Sequence, residues 1–398
     1  MARQYFASLE AHPDDPILGL NELYKNDTRD TKVNLGVGVF LDEEGRLPLM
    51  NAVGQAEARL VERGAPHGYI PMSGLPAYCQ AIQKLVFGAD NEAVLTGRIS
   101  TVQSMGGTGA LHLGAMLAHL YLNLNNAVVS NPTWGNHITL FEHAGFTTGK
   151  YPYFDPTTSA VNFEGLLDTL KTLEAGTVVL LHACCHNPTG VDLTYDQWTQ
   201  VIEVLQERDL FPFLDIAYQG FGSGLDEDAT AVRRLVAAGM TFMVASSCSK
   251  NFGLYGERAG ALHVVTPNAK EAAVVTSILK SLVRAEYSNP PTHGAAVVAE
   301  ILTDDALRQA WVDEVTMMRT RILAMRQRLK EEGDKLGADL SFATRQTGMF
   351  SFTGLNKDQM LALRETFGVY GVTNGRICIA GLNEKNVGYV AKALDGVR

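Results

Sequence analysis

The stretch TVVLLHACCHNPTGVDLTYDQWTQVIEVLQERDLFPFLDIAY, residues 177–218, decides the fold. It opens on an unbroken β-branched and aliphatic run, Thr177 to Leu181. It closes on a second apolar run, Phe211 to Leu214. Between them, from about 195 to 208, apolar residues recur at three- and four-residue spacing, the period of a helix with one buried face. Strand, helix, strand in that order predicts a βα unit in a parallel sheet covered by helices on both faces. Two further runs, Ala127–Ser130 and Phe242–Ser246, extend the same reading to either side. From about 304 a helical pattern rich in Arg, Lys and Glu runs to 332. It leads to short strands near 349–352 and 376–379. With residues up to about 45, this tail is expected to form a second, smaller α/β domain.

A chain of 398 residues with 46% apolar and 19% charged side chains suits a folded protein of two or three domains and excludes a mostly disordered one. Its formal charge of −10 argues against a surface that coats nucleic acid or an anionic membrane. It says nothing about a local cationic pocket. No apolar run approaches the roughly 18 residues of a membrane span. The five cysteines include the adjacent pair Cys184 and Cys185, form no CxxC and are odd in number, so a reducing compartment, the cytoplasm, is expected. Asn26-Asp27-Thr28 matches a glycosylation sequon by chance alone, since the start shows no secretory signal.

Several familiar motifs nearly match and fail. Gly145-Phe146-Thr147-Thr148-Gly149-Lys150 is one residue short of a P-loop, and Tyr151 stands where a metal-binding hydroxyl is required. Gly36-Val37-Gly38 and Gly220-Phe221-Gly222-Ser223-Gly224 lack the GxGxxG spacing, which removes support from a nicotinamide-dependent oxidoreductase. His182, Cys184, Cys185 and His186 do not have the spacing of a structural zinc site, so no metal is expected.

In open parallel sheets ligands sit beyond the carboxyl ends of the strands. There the chain places Asn131–Trp134, His186–Gly190, Asp215–Tyr218 and Ser247–Lys250. Gly106-Gly107-Thr108-Gly109 opens a helical pattern over 109–122, so its backbone N–H groups suit an anion, though a plain capping turn has the same sequence. Lys250 comes just after an apolar strand, with Arg258 eight residues later; partial burial and nearby cations are what make a lysine nucleophilic. Ser247 and Arg258 together suit a phosphate. Asp215, if buried, needs a cationic partner, for which a protonated pyridine nitrogen serves. Tyr218 and Asn187 then suit a phenolic ring oxygen, and Trp134 suits a ring face.

The segments HNPTG (186–190), FLDIAYQGF (213–221), SKNFGLYGERAG (249–260) and NPPTHG (289–294) together resemble the aspartate and aromatic aminotransferases. The resemblance runs from DPILGL (15–20) and NLGVGV (34–39) to GRICIAGLN (375–383). It implies the fold of type I enzymes dependent on pyridoxal phosphate: a large domain over 46–319 with a mostly parallel seven-stranded sheet, and a small domain from 1–45 with 320–398, preceded by an N-terminal arm of about 1–14. It makes Lys250 the Schiff-base lysine and proton shuttle, and Asp215 the partner of the pyridine nitrogen. Asn187 and Tyr218 would address the ring oxygen while Trp134 stacks. Gly107, Thr108, Ser247 and Arg258 would bind the phosphate, joined by Tyr69 of a second subunit. Arg376 would grip the substrate α-carboxylate, with Asn187 and Gly38 close by. Arg284, from the second subunit, would receive a dicarboxylic side chain. His137 and His182 would support the aspartate and the ring.

The family's segment after Trp134 carries an acid where this chain has Gly135; a charge lost at a helix start puts no catalytic residue in doubt. The implied reaction is a ping-pong transfer from an amino acid to 2-oxoglutarate by a homodimer with shared sites. Residues 43–50, 68–74 and Cys378 look more like the aromatic branch than the aspartate branch. Tyrosine and phenylalanine, with aspartate, are the expected donors, and a strict aspartate aminotransferase is the alternative. A catalytically silent relative would have little use for Lys250, Asp215, Arg258 and Arg376 together.

Overall fold

Val178–His182 is buried at every position, and its side chains divide by period two. Val178 and Leu180 enter one apolar core, Val179 and Leu181 the other. Phe213 and Leu214 split the same way, as do Met243 and Val244. A strand with two dry faces cannot alternate polar with apolar, which is why these segments read as continuous apolar runs.

A computed structural model describes residues 5–6, 9–11 and 18–398. The expected N-terminal arm lies mostly outside the described residues, as do Asp15, Pro16 and Ile17 of the DPILGL motif. Seven strands form the central sheet: β1 (Ile99–Met105), β2 (Asn126–Asn131), β3 (Thr147–Pro152), β4 (Val178–His182), β5 (Phe211–Ile216), β6 (Phe242–Ser247) and β7 (Ala259–Val265). Their order is β1-β7-β6-β5-β4-β2-β3. Only β7 runs against its neighbours, pairing antiparallel with β1 and with β6. The mostly parallel seven-stranded sheet read from the sequence is therefore present. The near P-loop over 145–150 supplies most of β3, a polar edge strand with Gly149 and Lys150 in it, as edges tend to be.

Helices α1 (Gly106–Leu122), α2 (Asn136–His143), α3 (Tyr195–Glu207), α4 (Ala269–Glu286) and α5 (Asp305–Leu336) cover the sheet or brace it. α1 starts at Gly106, so the glycine run lies inside the first turn rather than before it. α3 begins with a capping box: Gln197 N donates to Thr194 Oγ1 at 3.2 Å, and Thr194 N donates to Gln197 Oε1 at 2.9 Å. Such a cap contributes about 1 kcal/mol. Asp304 caps α5 and Gly337 ends it in the left-handed conformation at φ 74°.

α5 is one unbroken helix of 32 residues that passes straight through position 319–320. Along it, Trp311 Nε1 donates to Asn251 O at 2.7 Å and Arg319 Nη1 to Gly220 O at 3.1 Å. Arg321 Nη2 donates to Leu382 O at 2.9 Å, and its Nη1 reaches Leu41 O. The tail strands appear as Phe350–Phe352 paired antiparallel with Arg376–Cys378. Val33–Asn34 joins the tail by parallel pairing with Val369–Tyr370. Among the described residues no helix is long and apolar enough to cross a membrane.

Candidate active site

The carboxyl ends of β2, β4, β5 and β6 and the start of α1 converge on a cavity of about 250 Å³. Apolar core residues such as Ala183, Cys184, Cys185 and Cys248 continue past the strand ends, and between them Asn187, Asp215, Ser247 and Lys250 face the opening. Gly38, Gly107, Thr108, Trp134, Asn187, Asp215, Tyr218, Ser247, Lys250, Arg258 and Arg376 all line it. These are the residues singled out in the sequence, apart from Tyr69 and Arg284.

One end of the cavity is an anion cradle. α1 begins there, its first N–H, on Gly106, donating to Arg258 O at 2.8 Å and the next N–H groups of the turn, with Thr108 among them, lacking helical partners, while the Arg258 guanidinium lies against Gly106. Gly106 has φ 68°, and a Cβ on it would stand 2.6 Å from Arg258 Nη2. Glycine is thus required for both the turn and the approach of the guanidinium. A Cβ on Gly107 would press on Ser247 at 3.2 Å. Ser247 Oγ lies 3.1 Å from Ser249 Oγ, and Arg258 Nη1 donates to Tyr255 O at 3.2 Å. Hydroxyls, a helix start and a guanidinium make a site for a doubly charged oxyanion.

Asp215 lies on the wall, 6% exposed. Burial disfavours its charge, but the hydrogen bond from His137 and the charges of His137 and Lys250 outweigh that and hold the carboxyl below the usual range. His137 Nε2 sits 3.1 Å from Asp215 Oδ2, and His137 Nδ1 lies 2.8 Å from Thr133 Oγ1. An ionised carboxylate only accepts, so Nε2 carries a proton and donates to it. His182 packs on His137 with ring centroids 5.1 Å apart, and its Nε2 has no hydrogen-bond partner among the described residues. Burial and the His137 charge push His182 down to about 3, so it stays neutral. Asp215, His137 and His182 place donor atoms within 4.8 Å of one another, with His137 bonded directly to Asp215. The four residues weighed for zinc fall into two pairs: Cys184 and Cys185 lie with Asp228, while His182 and His186 pack edge-on with ring centroids 4.3 Å apart and His186 bonds Ser130 and Thr189.

Lys250 Nζ stands 5.3 Å from the centroid of the Tyr218 ring. Burial, helped by the charges of Arg258 and Arg376 and resisted by that of Asp215, brings the amine down to about 8. Burial pushes the Tyr218 phenol up, so it remains protonated. Asn187 Nδ2 donates to Tyr218 Oη at 3.3 Å, and Arg376 Nη1 donates to Asn187 Oδ1 at 3.2 Å. Arg376 Nη2 donates to Gly36 O at 2.7 Å, and its guanidinium lies 4.3 Å over the Phe350 ring. A Cβ on Gly38 would strike Phe350 Cζ at 2.6 Å, so only glycine lets that segment pass. Trp134 meets His137 edge-on at 5.2 Å. Gly135 is the N-cap of α2, without a side-chain cap, as expected of the departure from the family.

Tyr69 and Arg284 do not reach this cavity. Tyr69 is 97% exposed, and Arg284, at the end of α4, is exposed with its Nη1 on Ser288 Oγ. Sequence reasoning missed Leu111, Ala217, Ser249 and Phe350, which also line the wall. Ser249 and Ala217 adjoin Lys250 and Tyr218 and were within reach of the strand-end argument. Phe350 was not, because it arrives from the tail.

The chain matches the family model described as aminotransferase class I and II over residues 30–394. It is 51% identical to the aspartate aminotransferase of Pseudomonas aeruginosa, with 98% of each chain covered. It is 50% identical to the aromatic-amino-acid aminotransferase of Escherichia coli, covering 98% of this chain and 100% of the relative. The crystal structure of an aromatic-amino-acid aminotransferase from Burkholderia pseudomallei, covalently bound to pyridoxal phosphate, superposes with a TM-score of 0.97. It shares 51% identity over 99% of this chain and 100% of that one.

Proposed function

The chain belongs to the class I and II aminotransferases, and from that premise we propose that it moves amino groups from aromatic and dicarboxylic amino acids to 2-oxoglutarate. It is a pyridoxal-phosphate-dependent aminotransferase. The cavity residues fit the cofactor. The anion cradle of Gly107, Thr108, Ser247, Ser249 and Arg258 would hold its phosphate, Asp215 its protonated ring nitrogen, and Asn187 with Tyr218 its phenolic oxygen, while Trp134 would pack against the ring. When bound, the cofactor supplies an electron sink for the pair of electrons left at the substrate Cα.

The observation that carries this reading is an amine brought down to about 8 beside a carboxylate held anionic, in one cavity with the Arg376 guanidinium. Lys250 Nζ removes the Cα proton of the bound amino acid and redelivers it within the same cavity. Its lowered pKa makes a useful fraction of it a free base near neutral pH. Asp215, held anionic, would keep a bound ring nitrogen protonated. Arg376, fixed in plane by Asn187 and Gly36, takes the α-carboxylate as a fork. Tyr218, held protonated, donates. The two half-reactions use the same residues in opposite order, giving ping-pong kinetics.

The depressed lysine sets the sign of the pH dependence. Cofactor-free protein should capture pyridoxal phosphate at a rate that rises with pH, half-maximal near 8. Stopped-flow absorbance reads the capture. A midpoint left near the ordinary 10.5 would mean that the amine is not desolvated.

Specificity rests on Arg284, and with it the proposal of a homodimer. Arg284 and Tyr69 are exposed and lie away from their own chain's cavity, as residues lent to a second copy would be. Relatives bearing aspartate and aromatic names at nearly equal identity support donors of both kinds. Arg284→Leu should lower kcat/KM for aspartate and glutamate roughly 10–100-fold, the worth of one charged hydrogen-bond pair. Phenylalanine should change less than about threefold, since its ring makes no such pair. Mixed dimers of Lys250→Ala with Arg284→Leu subunits should regain activity on aspartate, because one site is then intact. Equal losses on all donors, or no recovery on mixing, would sink the assignment.

The domain division is proposed as 46–319 and 1–45 with 320–398, supported by the pairing of Val33–Asn34 with the tail. The five cysteines are all free, which supports placing the enzyme in the cytoplasm.

A further inference from the structure

Arg326, on α5, is 2% exposed and forms no ion pair among the described residues. A buried guanidinium without a counter-ion is unfavourable unless its N–H groups are satisfied. Here its four Nη–H hydrogens are satisfied by one short segment. Nη1 donates to Ala343 O and Ser351 Oγ, both at 2.8 Å. Nη2 donates to Gly348 O at 2.7 Å and Phe350 O at 2.6 Å. Nε has no partner. Burial lowers the guanidinium only to about 10, so it remains charged at neutral pH.

The segment so held carries a wall of the active site. Gly348 has φ 73° and lies so tightly on Cys185 that a Cβ would approach Cys185 Cβ at 2.6 Å. Thr347 N donates to Gly190 O at 2.6 Å, joining the segment to the loop that bears Asn187. The Phe350 ring meets Tyr218 edge-on at 5.6 Å. Arg376 lies 4.3 Å over the same ring, and Gly38 closes its edge. A shift of the Phe350 carbonyl would therefore tilt the Arg376 guanidinium and weaken its two-point grip on a carboxylate.

We propose that Arg326 is a positioning residue for substrate carboxylates: by fixing the carbonyls of Gly348 and Phe350 it sets the ring on which Arg376 lies. The inference rests on the reading of Arg376 as the carboxylate fork. It goes beyond that reading by making a residue outside the cavity a determinant of substrate affinity.

The test compares Arg326→Met, Arg326→Lys and Ser351→Ala with the parent holoenzyme. Calorimetric Kd is measured for 3-phenylpropionate, an unreactive carboxylate, together with KM and kcat for phenylalanine and 2-oxoglutarate. Arg326→Met should raise Kd and both KM values at least about tenfold, with kcat within about threefold, because the fork acts in binding and Lys250 is untouched. Arg326→Lys should recover part of the loss, since a point ammonium can meet some but not all four acceptors. Ser351→Ala should raise KM about twofold, having lost one hydrogen bond. Cofactor content, read by absorbance, should not change. A role in packing alone would lower thermal stability and leave KM and Kd of the folded protein alone. That result overturns the proposal, as does a fall in kcat without a rise in KM. Should Arg326→Met fail to fold, unchanged KM and Kd in both other variants overturn it equally. Arg376→Ala separates the two readings. If it leaves Kd unchanged, the fork assignment falls; if it weakens Kd and Arg326→Met does not, only the present inference falls.

Discussion

Replacing Lys250 with alanine should lower turnover at least about 10⁴-fold while leaving most of the cofactor bound. The loss is large because no other group in the cavity can do the work. Tyr218 is the nearest candidate, and burial holds its phenol protonated well above its ordinary range. Asp215 is engaged by His137 at 3.1 Å. Arg376 and Arg258 do not release protons at working pH. The cofactor should remain because the anion cradle is built from α1, Ser247 and Arg258, none of which depends on the amine. Single-turnover absorbance with phenylalanine measures the rate. Borohydride treatment and then intact mass test the bond, which the variant should lack. Activity within tenfold of the parent would refute the assignment of Lys250.

The second large effect is expected at Asp215. Asp215→Ala should lower the half-reaction rate roughly 10²–10³-fold and weaken cofactor binding, in keeping with the loss of one partner from a buried charged pair. Asp215→Asn keeps the shape and removes the charge, so it should lose rate nearly as much and fold better. His137 shares in the effect, since its Nε2–H would have no acceptor in the alanine variant. Rates and cofactor dissociation constants for both variants decide the matter. An unchanged rate would mean that the ring nitrogen needs no carboxylate here.

The central sheet was legible because burial on both faces leaves runs of apolar residues that composition alone reveals. Its polar edge was not: Thr147–Pro152 carries glycine and lysine, and reads more easily as a failed phosphate loop. At the site, Asp215, Lys250 and Asn187 could be found from the residues at the carboxyl end of each strand. Phe350 could not, since it comes from a strand of three residues in the tail and reaches the cavity only through tertiary packing. The same holds for the meeting of Gly106 with Arg258, a contact between segments far apart in the chain. Arg326 was the hardest to see. It sits in a stretch of Arg, Lys and Glu that reads as a solvated helix face, and nothing in the sequence marks one guanidinium among them as buried. Arg284 and Tyr69 were named through a family resemblance, and their own surroundings in one chain give them no ligand to touch.

The single antiparallel strand of the sheet bears on the order in which the chain can assemble. β1 has no neighbour in the sheet but β7, which lies between it and β6. Ala259 pairs with Met105, and Gly260 with Ser247, so the rung that joins these strands lies at the mouth of the anion cradle. On a growing chain β1 must therefore wait, unpaired with the rest of the sheet, until residue 265 has left the ribosome. No earlier fragment holds Gly107, Ser247 and Arg258 in register. Loading of the phosphate is thus a late event in the life of the nascent protein. A one-residue slip of β7 would turn its side chains to the opposite faces and pull Arg258 out of line with Gly106, undoing the pocket and both cores at once.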